Sequence, residues 1–333
     1  MTFVYKINKQ QGFSIKPKTL VENTGIKQQS ASSPHNLPRP FIDRLAVTIA
    51  VPSDADGHDM YASFWQTRNI PGVFADFKPR GSNKATCRLM LPCMTDAKKW
   101  PFYEVDFDGK SITKLRIEFI PVDLGFDGLV ELHALLTTLV PNGWLYFIEH
   151  GKISRLDVAI DFPGLKLAQL LFLPKQSATT KEWAQNGAMT GFQIGKKNGS
   201  HIQIYDRGAK RQAKKQSSAG KKGVRIECRK RYLQMSLSSL HKLACPFEKF
   251  LPVKAYPSCP RFEKKRYLWQ FFKDSVAQRG APAALALLPQ AKRTKYRAYL
   301  KQNAIRQWDL EAIWSEWPKV LNDLEIADPH AWN

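Results

Sequence analysis

Acidic residues are scarce. Asp and Glu number 29 against 51 Lys and Arg in 333 residues, a formal charge of +22. A balance this one-sided favours a polyanionic partner, with nucleic acid the first candidate and a membrane surface the rival. Cysteine is sparse too. The five present (Cys87, Cys93, Cys228, Cys245 and Cys259) are odd in number and include no Cys-x-x-Cys pair. That spacing argues against a structural zinc site and against a disulfide framework, leaving scattered reduced thiols. Long apolar runs are missing: pieces such as LAQLLFL, from Leu167, fall far short of the roughly 20 residues a membrane span needs. The first residues are mixed polar, without the apolar stretch of a signal peptide. The expectation is a cytoplasmic chain with no membrane partner.

Apolar residues nevertheless make up 43% of the chain and aromatics 11%, enough to build a core. Period-2 alternation marks strands in DRLAVTIAVP from Asp43, TKLRIEFIP from Thr113, GWLYFIEHG from Gly143, ISRLDVAIDFP from Ile153, SHIQIYDRG from Ser200 and GVRIECRKR from Gly223. Helical spacing appears between Asp127 and Val140, and KLAQLLFL reads as a further helix. Without a strict βαβ rhythm, the pattern predicts an α+β fold with a mainly antiparallel sheet. Residues 1–38, rich in Gln, Ser, Lys and Pro, read as a flexible arm; 39–256 as the α+β domain; 257–333 as a basic helical domain. In that last segment Trp269, Phe271, Phe272, Leu285, Leu287, Leu288, Tyr296, Tyr299 and Leu300 fall on apolar faces. They read as core rather than as a stacking surface, and the basic stripe beside them suits a phosphate backbone.

Several familiar motifs fail. Gly-Lys-Ser at Gly109 to Ser111 lacks the P-loop glycine, since that position is Glu104. GFQIGKKNG from Gly191 has the wrong glycine spacing for a dinucleotide turn and predicts a hairpin. The seven histidines form no His-x-His, the pair with which common nicking endonucleases hold a metal. No His-x-x-Arg occurs either, which weighs against a tyrosine recombinase.

What survives is a set of polar strand faces. Alternation places Arg155, Asp157, Ala159 and Asp161 on one face of their strand, Arg116 and Glu118 on another, Arg225, Glu227 and Arg229 on a third, and His201, Gln203 and Tyr205 on a fourth. If these strands are neighbours, one sheet face collects carboxylates, arginines and a tyrosine. That collection suits phosphodiester transesterification, with oxygen ligands for Mg²⁺ or Mn²⁺, arginines for the developing charge, and tyrosine as nucleophile. With an ordinary pKa of about 10, about one phenol in a thousand is ionised at neutral pH, so roughly 4 kcal/mol of activation must come from neighbouring cations or metal.

In order along the chain, SRLDVAIDF, GFQIGKKNGSHIQIYDRGAK and GVRIECRKR resemble the replication initiation factor family, the Rep_trans-type rolling-circle initiators of small plasmids and the related initiators of filamentous phages. Arg155, Asp157 and Asp161 match that family's Arg-Ile-Asp-x-Ala-x-Asp strand; Tyr205, Asp206 and Gly208 match its Tyr-Asp/Asn-Lys-Gly segment; Val224, Arg225 and Glu227 match its Val-Arg-x-Glu strand. FIDRLAVTIA, with Asp43, looks like the opening strand, and KLRIEFIP like the Arg-x-Glu-Phe-Asn-Pro strand. The departures are Arg207 where Lys is usual and Ile120 in place of Asn. The likeness spans about residues 40 to 235.

The resemblance implies metal-dependent nicking and rejoining of origin DNA through a covalent phosphotyrosine. Tyr205 and Arg225 would be catalytic and Asp157, Glu227 and Glu118 the ligands of Mg²⁺ or Mn²⁺, with Asp43 and Asp161 in reserve. Arg155, Lys196, Lys197, Lys210, Lys214, Lys215, Lys221, Lys222 and Arg229 would contact DNA, through a basic loop from Gly208 to Gly223 among other places. Origin DNA is the implied partner, with a host helicase and a second copy of the chain as further candidates. The competing expectation is a basic DNA-binding regulator that keeps the fold without the chemistry.

Overall fold

Alternating apolar residues need a second strand to hydrogen-bond and a core to face, and the computed structural model supplies both. It describes residues 38–167, 170–174, 180–185, 188–196, 199–213, 222–248, 250–254, 257–303 and 309–332. The expected N-terminal arm therefore lies almost wholly outside the described residues. Residues 37–333 cluster as one compact unit. The fold is α+β, with a large antiparallel sheet and helices toward the C-terminus.

The chain runs β1 (Pro40–Ala50), α1 (Asp54–Arg68), β2 (Phe74–Pro79), β3 (Lys84–Leu89), β4 (Phe102–Asp108), β5 (Ser111–Phe119), α2 (Pro121–Leu136) and α3 (Trp144–His150). It continues with β6 (Lys152–Pro163), β7 (Leu170–Pro174), β8 (Thr180–Gln185), β9 (Ala188–Ile194), β10 (His201–Asp206), α4 (Arg207–Ala213), β11 (Gly223–Arg231) and β12 (Phe250–Lys254). Four helices follow: α5 (Arg266–Ala286), α6 (Gln290–Gln302), α7 (Leu310–Trp314) and α8 (Trp317–Leu324). Ten strands share one sheet in the order β2-β3-β4-β5-β1-β6-β11-β10-β9-β8, while β7 and β12 pair separately. No described helix is long and apolar enough to cross a membrane.

The sheet is built from two like halves meeting at the β1–β6 pair. Outward from that pair, β5, β4, β3 and β2 follow on one side and β11, β10, β9 and β8 on the other. The pairing register is itself two-fold. Leu45 faces Leu156; Arg44 faces Asp157 while Ala46 faces Arg155; Ile42 faces Val158 while Val47 faces Ile153. Each strand skips one residue, Asp43 in β1 and Ser154 in β6, at register shifts that are β-bulges. The sequences agree, since FIDRLAVTIAVP from Phe41 and KISRLDVAIDFP from Lys152 carry Ile, Arg, Leu, Val, Ile and Pro at matching places.

Three sequence expectations change. GWLYFIEHG forms helix α3 rather than a strand: Trp144 to Ile148 are all buried, so the alternation read there did not mark a single buried face. The part of KLAQLLFL from Leu170 on is strand β7, paired with β12, rather than helix. The segment from 257 is helical as expected but does not stand apart. Helices α5 and α6 form their own cluster with Leu171 and Leu173 of β7. Ile313, Trp317, Val320 and Trp332, by contrast, join the core under the main sheet. Indole bonds from Trp317 Nε1 to the Leu240 carbonyl (2.9 Å) and from Trp144 Nε1 to that of Ile326 (3.0 Å) tie the chain's end to its middle. The expected hairpin at GFQIGKKNG is present as the antiparallel β9–β10 pair.

Candidate active site

Strands β5, β1, β6, β11 and β10 are consecutive in the sheet, so the polar faces read from their alternation do lie side by side. Their apolar faces, Leu156, Val158, Ile160, Ile204, Val224 and Ile226 among them, are sealed in the core. On the other side opens a cleft of about 340 Å³ lined by Asp43, Arg44, Arg155, Asp157, Tyr205, Arg207, Lys210, Arg211, Arg225, Glu227 and Arg229.

Asp157 is fully buried between two guanidinium groups. Arg155 donates to it from Nε (3.0 Å) and Nη2 (2.6 Å), and Arg229 Nε reaches both of its oxygens (3.1 and 3.0 Å). Glu118 receives Arg44 Nη1 (2.6 Å) and Arg155 Nη1 (3.1 Å) and is paired with Arg116 as well. Burial works to raise the Glu118 pKa, but the Arg44 bond and the charges of Arg116 and Arg155 prevail and hold it below the usual carboxylate value. Arg225 grips Asp161 through Nε (2.6 Å) and Nη2 (2.9 Å), reaches Asp43 through Nη1 (2.7 Å), and lies over the Phe41 ring. Arg207 adds a second cation to Asp161 at 2.8 Å.

Tyr205 sits among these pairs with a buried ring. Its hydroxyl donates to Glu227 Oε2 (3.1 Å), while Glu227 Oε1 accepts from Arg229 Nη2 (3.2 Å). Lys210 Nζ stands 3.5 Å from the Tyr205 ring centroid and 3.9 Å from Glu227 Oε2. Burial, then the Glu227 charge, push the phenol well above its ordinary pKa of 10. The backbone under it is tight: a Cβ on Gly191 of β9 would lie 2.9 Å from both the Ile204 carbonyl oxygen and Tyr205 Cβ. Glycine at this point lets β9 approach the strand that carries the tyrosine.

Asp43 enters the cleft because of the bulge, which turns out of the ladder a residue that regular pairing would place across from a β6 partner. Its pKa is raised, first by burial and then by Glu227, with Asp157 adding to the effect against Arg225 and Lys210. Among the described residues Asp43 receives one guanidinium group, that of Arg225, where Asp157 receives two and Glu118 three.

The placement of the sequence candidates follows. Tyr205, Arg225, Asp157, Glu227, Asp43, Arg155, Arg229 and Lys210 line one cleft, and Asp161 is held at its wall by Arg225 and Arg207. Glu118 does not line it. Strand β1 separates Glu118 from β6, and Arg44 and Arg155 occupy its oxygens, so the expected ligand trio Asp157, Glu227 and Glu118 is not assembled. Among the described residues no three His, Cys, Asp or Glu side chains are grouped to hold a metal. The start of the expected basic loop, Gly208 to Ala213, belongs to helix α4, which explains how Lys210 returns to the Tyr205 ring. Lys196 and Lys222 are exposed outside the cleft. Lys197, Lys214, Lys215 and Lys221 lie outside the described residues. Sequence reasoning did not assign Arg44, Arg207 and Arg211 to the site, although Arg44 adjoins Asp43, Arg207 stands at the Lys position of the Tyr-Asp/Asn-Lys-Gly segment and Arg211 lies in the expected basic loop.

No family model matches the chain, and no curated protein matches its sequence.

Proposed function

We propose that the chain initiates rolling-circle replication by nicking and rejoining origin DNA through Tyr205. The observation that carries this reading is the buried Tyr205 hydroxyl bonded to Glu227 in a cleft walled by Arg44, Arg155, Arg207, Arg225 and Arg229. Glu227, which already accepts the Tyr205 hydrogen bond, would take the phenol proton as Oη attacks phosphorus. The new bond is Oη–P and the bond broken is P–O3′, because priming synthesis needs a free 3′-hydroxyl; the departing O3′ takes its proton from solvent water. The 5′ side then stays on the tyrosine, and the reverse attack rejoins the strand. Guanidinium groups, planar and permanently charged, fit the non-bridging oxygens where charge develops.

Mg²⁺ usually takes one or two carboxylates, the remaining positions going to water and phosphate oxygens. Asp43 and Glu227, each bonded by a single guanidinium group, fit that pattern and are the residues that would hold Mg²⁺ or Mn²⁺. When bound, the ion would polarise a non-bridging phosphate oxygen. Asp157 and Glu118 have another task, which is to fix the arginines.

The test is incubation with supercoiled DNA carrying the chain's own replicon. Native protein should nick it and leave a covalent adduct, and Tyr205→Phe should form none while binding the origin almost as well. The pairing of every acid on this face with arginine also suits a DNA-binding regulator without chemistry. Adduct formation by Tyr205→Phe, or its absence from native protein with Mg²⁺ and Mn²⁺ supplied, would decide against nicking by this residue.

A further inference from the structure

The C-terminal helices leave two large aromatics in water. Lys264, Lys265 and Arg266 are consecutive and exposed, and they lead directly into α5, whose Trp269, Phe272 and Val276 are buried. Tyr267 and Phe271, one helical turn apart, are instead 54% and 64% exposed, their ring centroids 6.0 Å apart in edge-on contact. The core beneath is filled by Trp269, Phe272 and Tyr296, so packing does not require this outer pair. Two exposed rings in contact with each other offer flat apolar surface to a partner.

Charge narrows the partner. Glu263, the acid beside the three cations, is buried and occupied by Lys292 Nζ (2.9 Å) and Tyr296 Oη (2.9 Å). Asp274, farther along the helix, accepts from Gln270 (2.9 Å). A second copy on this face would set cation against cation in a chain already at +22. A flexible polyanion with flat apolar faces suits both features at once.

We propose that this face binds single-stranded DNA, with Tyr267 and Phe271 stacking on bases and Lys264, Lys265 and Arg266 neutralising the backbone. Stacking tolerates any base, so the face holds strand without reading sequence. The choice of DNA over RNA rests on the nicking function proposed above, since strand displacement after a nick exposes single-stranded DNA.

The test measures fluorescence anisotropy of labelled oligo-dT of about 12 nucleotides, within the footprint of such platforms. Tyr267→Ala and Phe271→Ala should each weaken binding about tenfold, and Phe271→Trp should restore it where Phe271→Leu does not. Replacing the three cations with Ala should flatten the salt slope by about two units, at roughly 0.7 per contact on single strands. Thermal melts of these exposed variants should match that of native protein. Unchanged affinity in the aromatic variants, full rescue by Leu, or a change in oligomeric state without loss of binding would each overturn the proposal. Adduct formation on supercoiled DNA is scored separately: no adduct with intact oligo-dT binding is failure of the nicking function alone, and an adduct with unchanged affinity in the aromatic variants is failure of this proposal alone.

Discussion

Asp157→Asn separates two roles that a carboxylate in this cleft can have. Asp157 is wholly buried, and the two guanidinium groups it receives are themselves only 16% and 19% exposed. Asn preserves the shape but removes the charge, and its amide group turns a donor toward donors. Removing one partner from a buried ion pair costs about 3–5 kcal/mol. Here each arginine keeps a second acid, Arg155 at Glu118 (3.1 Å) and Arg229 at Glu227 (3.2 Å), which places the expected loss at the low end, about 3 kcal/mol. Urea titration reads it directly as a lower midpoint at unchanged slope. Titration with Mg²⁺ or Mn²⁺ supplies the other half: affinity should fall far less for Asp157→Asn than for Asp43→Asn. Native-like stability in Asp157→Asn, within about 0.5 kcal/mol, combined with lost metal affinity, would refute the assignment of Asp157 to the arginines.

Gly191→Ala should cost about 1–3 kcal/mol by overpacking and reduce nicking more than origin binding, because the new methyl pushes on Tyr205 Cβ and the Ile204 carbonyl; an active, native-like variant would show that the contact yields freely. The pKa of Glu118 is depressed on folding, so its contribution is present above its ordinary value of 4.5 and is lost as pH falls through the lower folded value. The stability gap between native protein and Glu118→Gln should therefore be widest near neutral pH and close on acidification, and a pH-independent gap would contradict the sign. Changing Lys214, Lys215, Lys221 and Lys222 together to Ala should flatten the salt dependence of duplex binding by up to about three or four units without erasing origin preference; an unchanged slope would remove that segment from the interface.

The central strands were legible because one face of each is apolar and the other charged, the condition under which alternation survives in sequence. Helix α3 was not, since Trp144 to Ile148 are covered all round. The cluster of Tyr205, Glu227, Arg225 and Asp157 followed from face and strand adjacency. What those residues do to one another did not, because pairing distances depend on register. Asp43 is the clearest case: its place in the cleft comes from a one-residue bulge that no local pattern announces. Glu118 failed in the opposite way. Its strand and face were right, but β1 intervenes and supplies Arg44. The halves of the sheet were visible in the shared Ile, Arg, Leu, Val, Ile and Pro of two segments, a signal lost to segment-by-segment reading.

That likeness creates a hazard of misassembly. The register joining β1 to β6 serves equally to join either strand to its own copy, and the two homotypic pairings differ in quality. β6 against β6 sets Arg155 opposite Asp157 twice, whereas β1 against β1 sets Arg44 opposite Ala46, with no acid across the pair. The later half, made last, is thus the one with an attractive wrong partner on a neighbouring chain. Early synthesis of β1 places the correct partner within the same molecule at high effective concentration before β6 emerges, so vectorial folding favours the monomeric sheet, and refolding from denaturant at high protein concentration favours strand-swapped dimers.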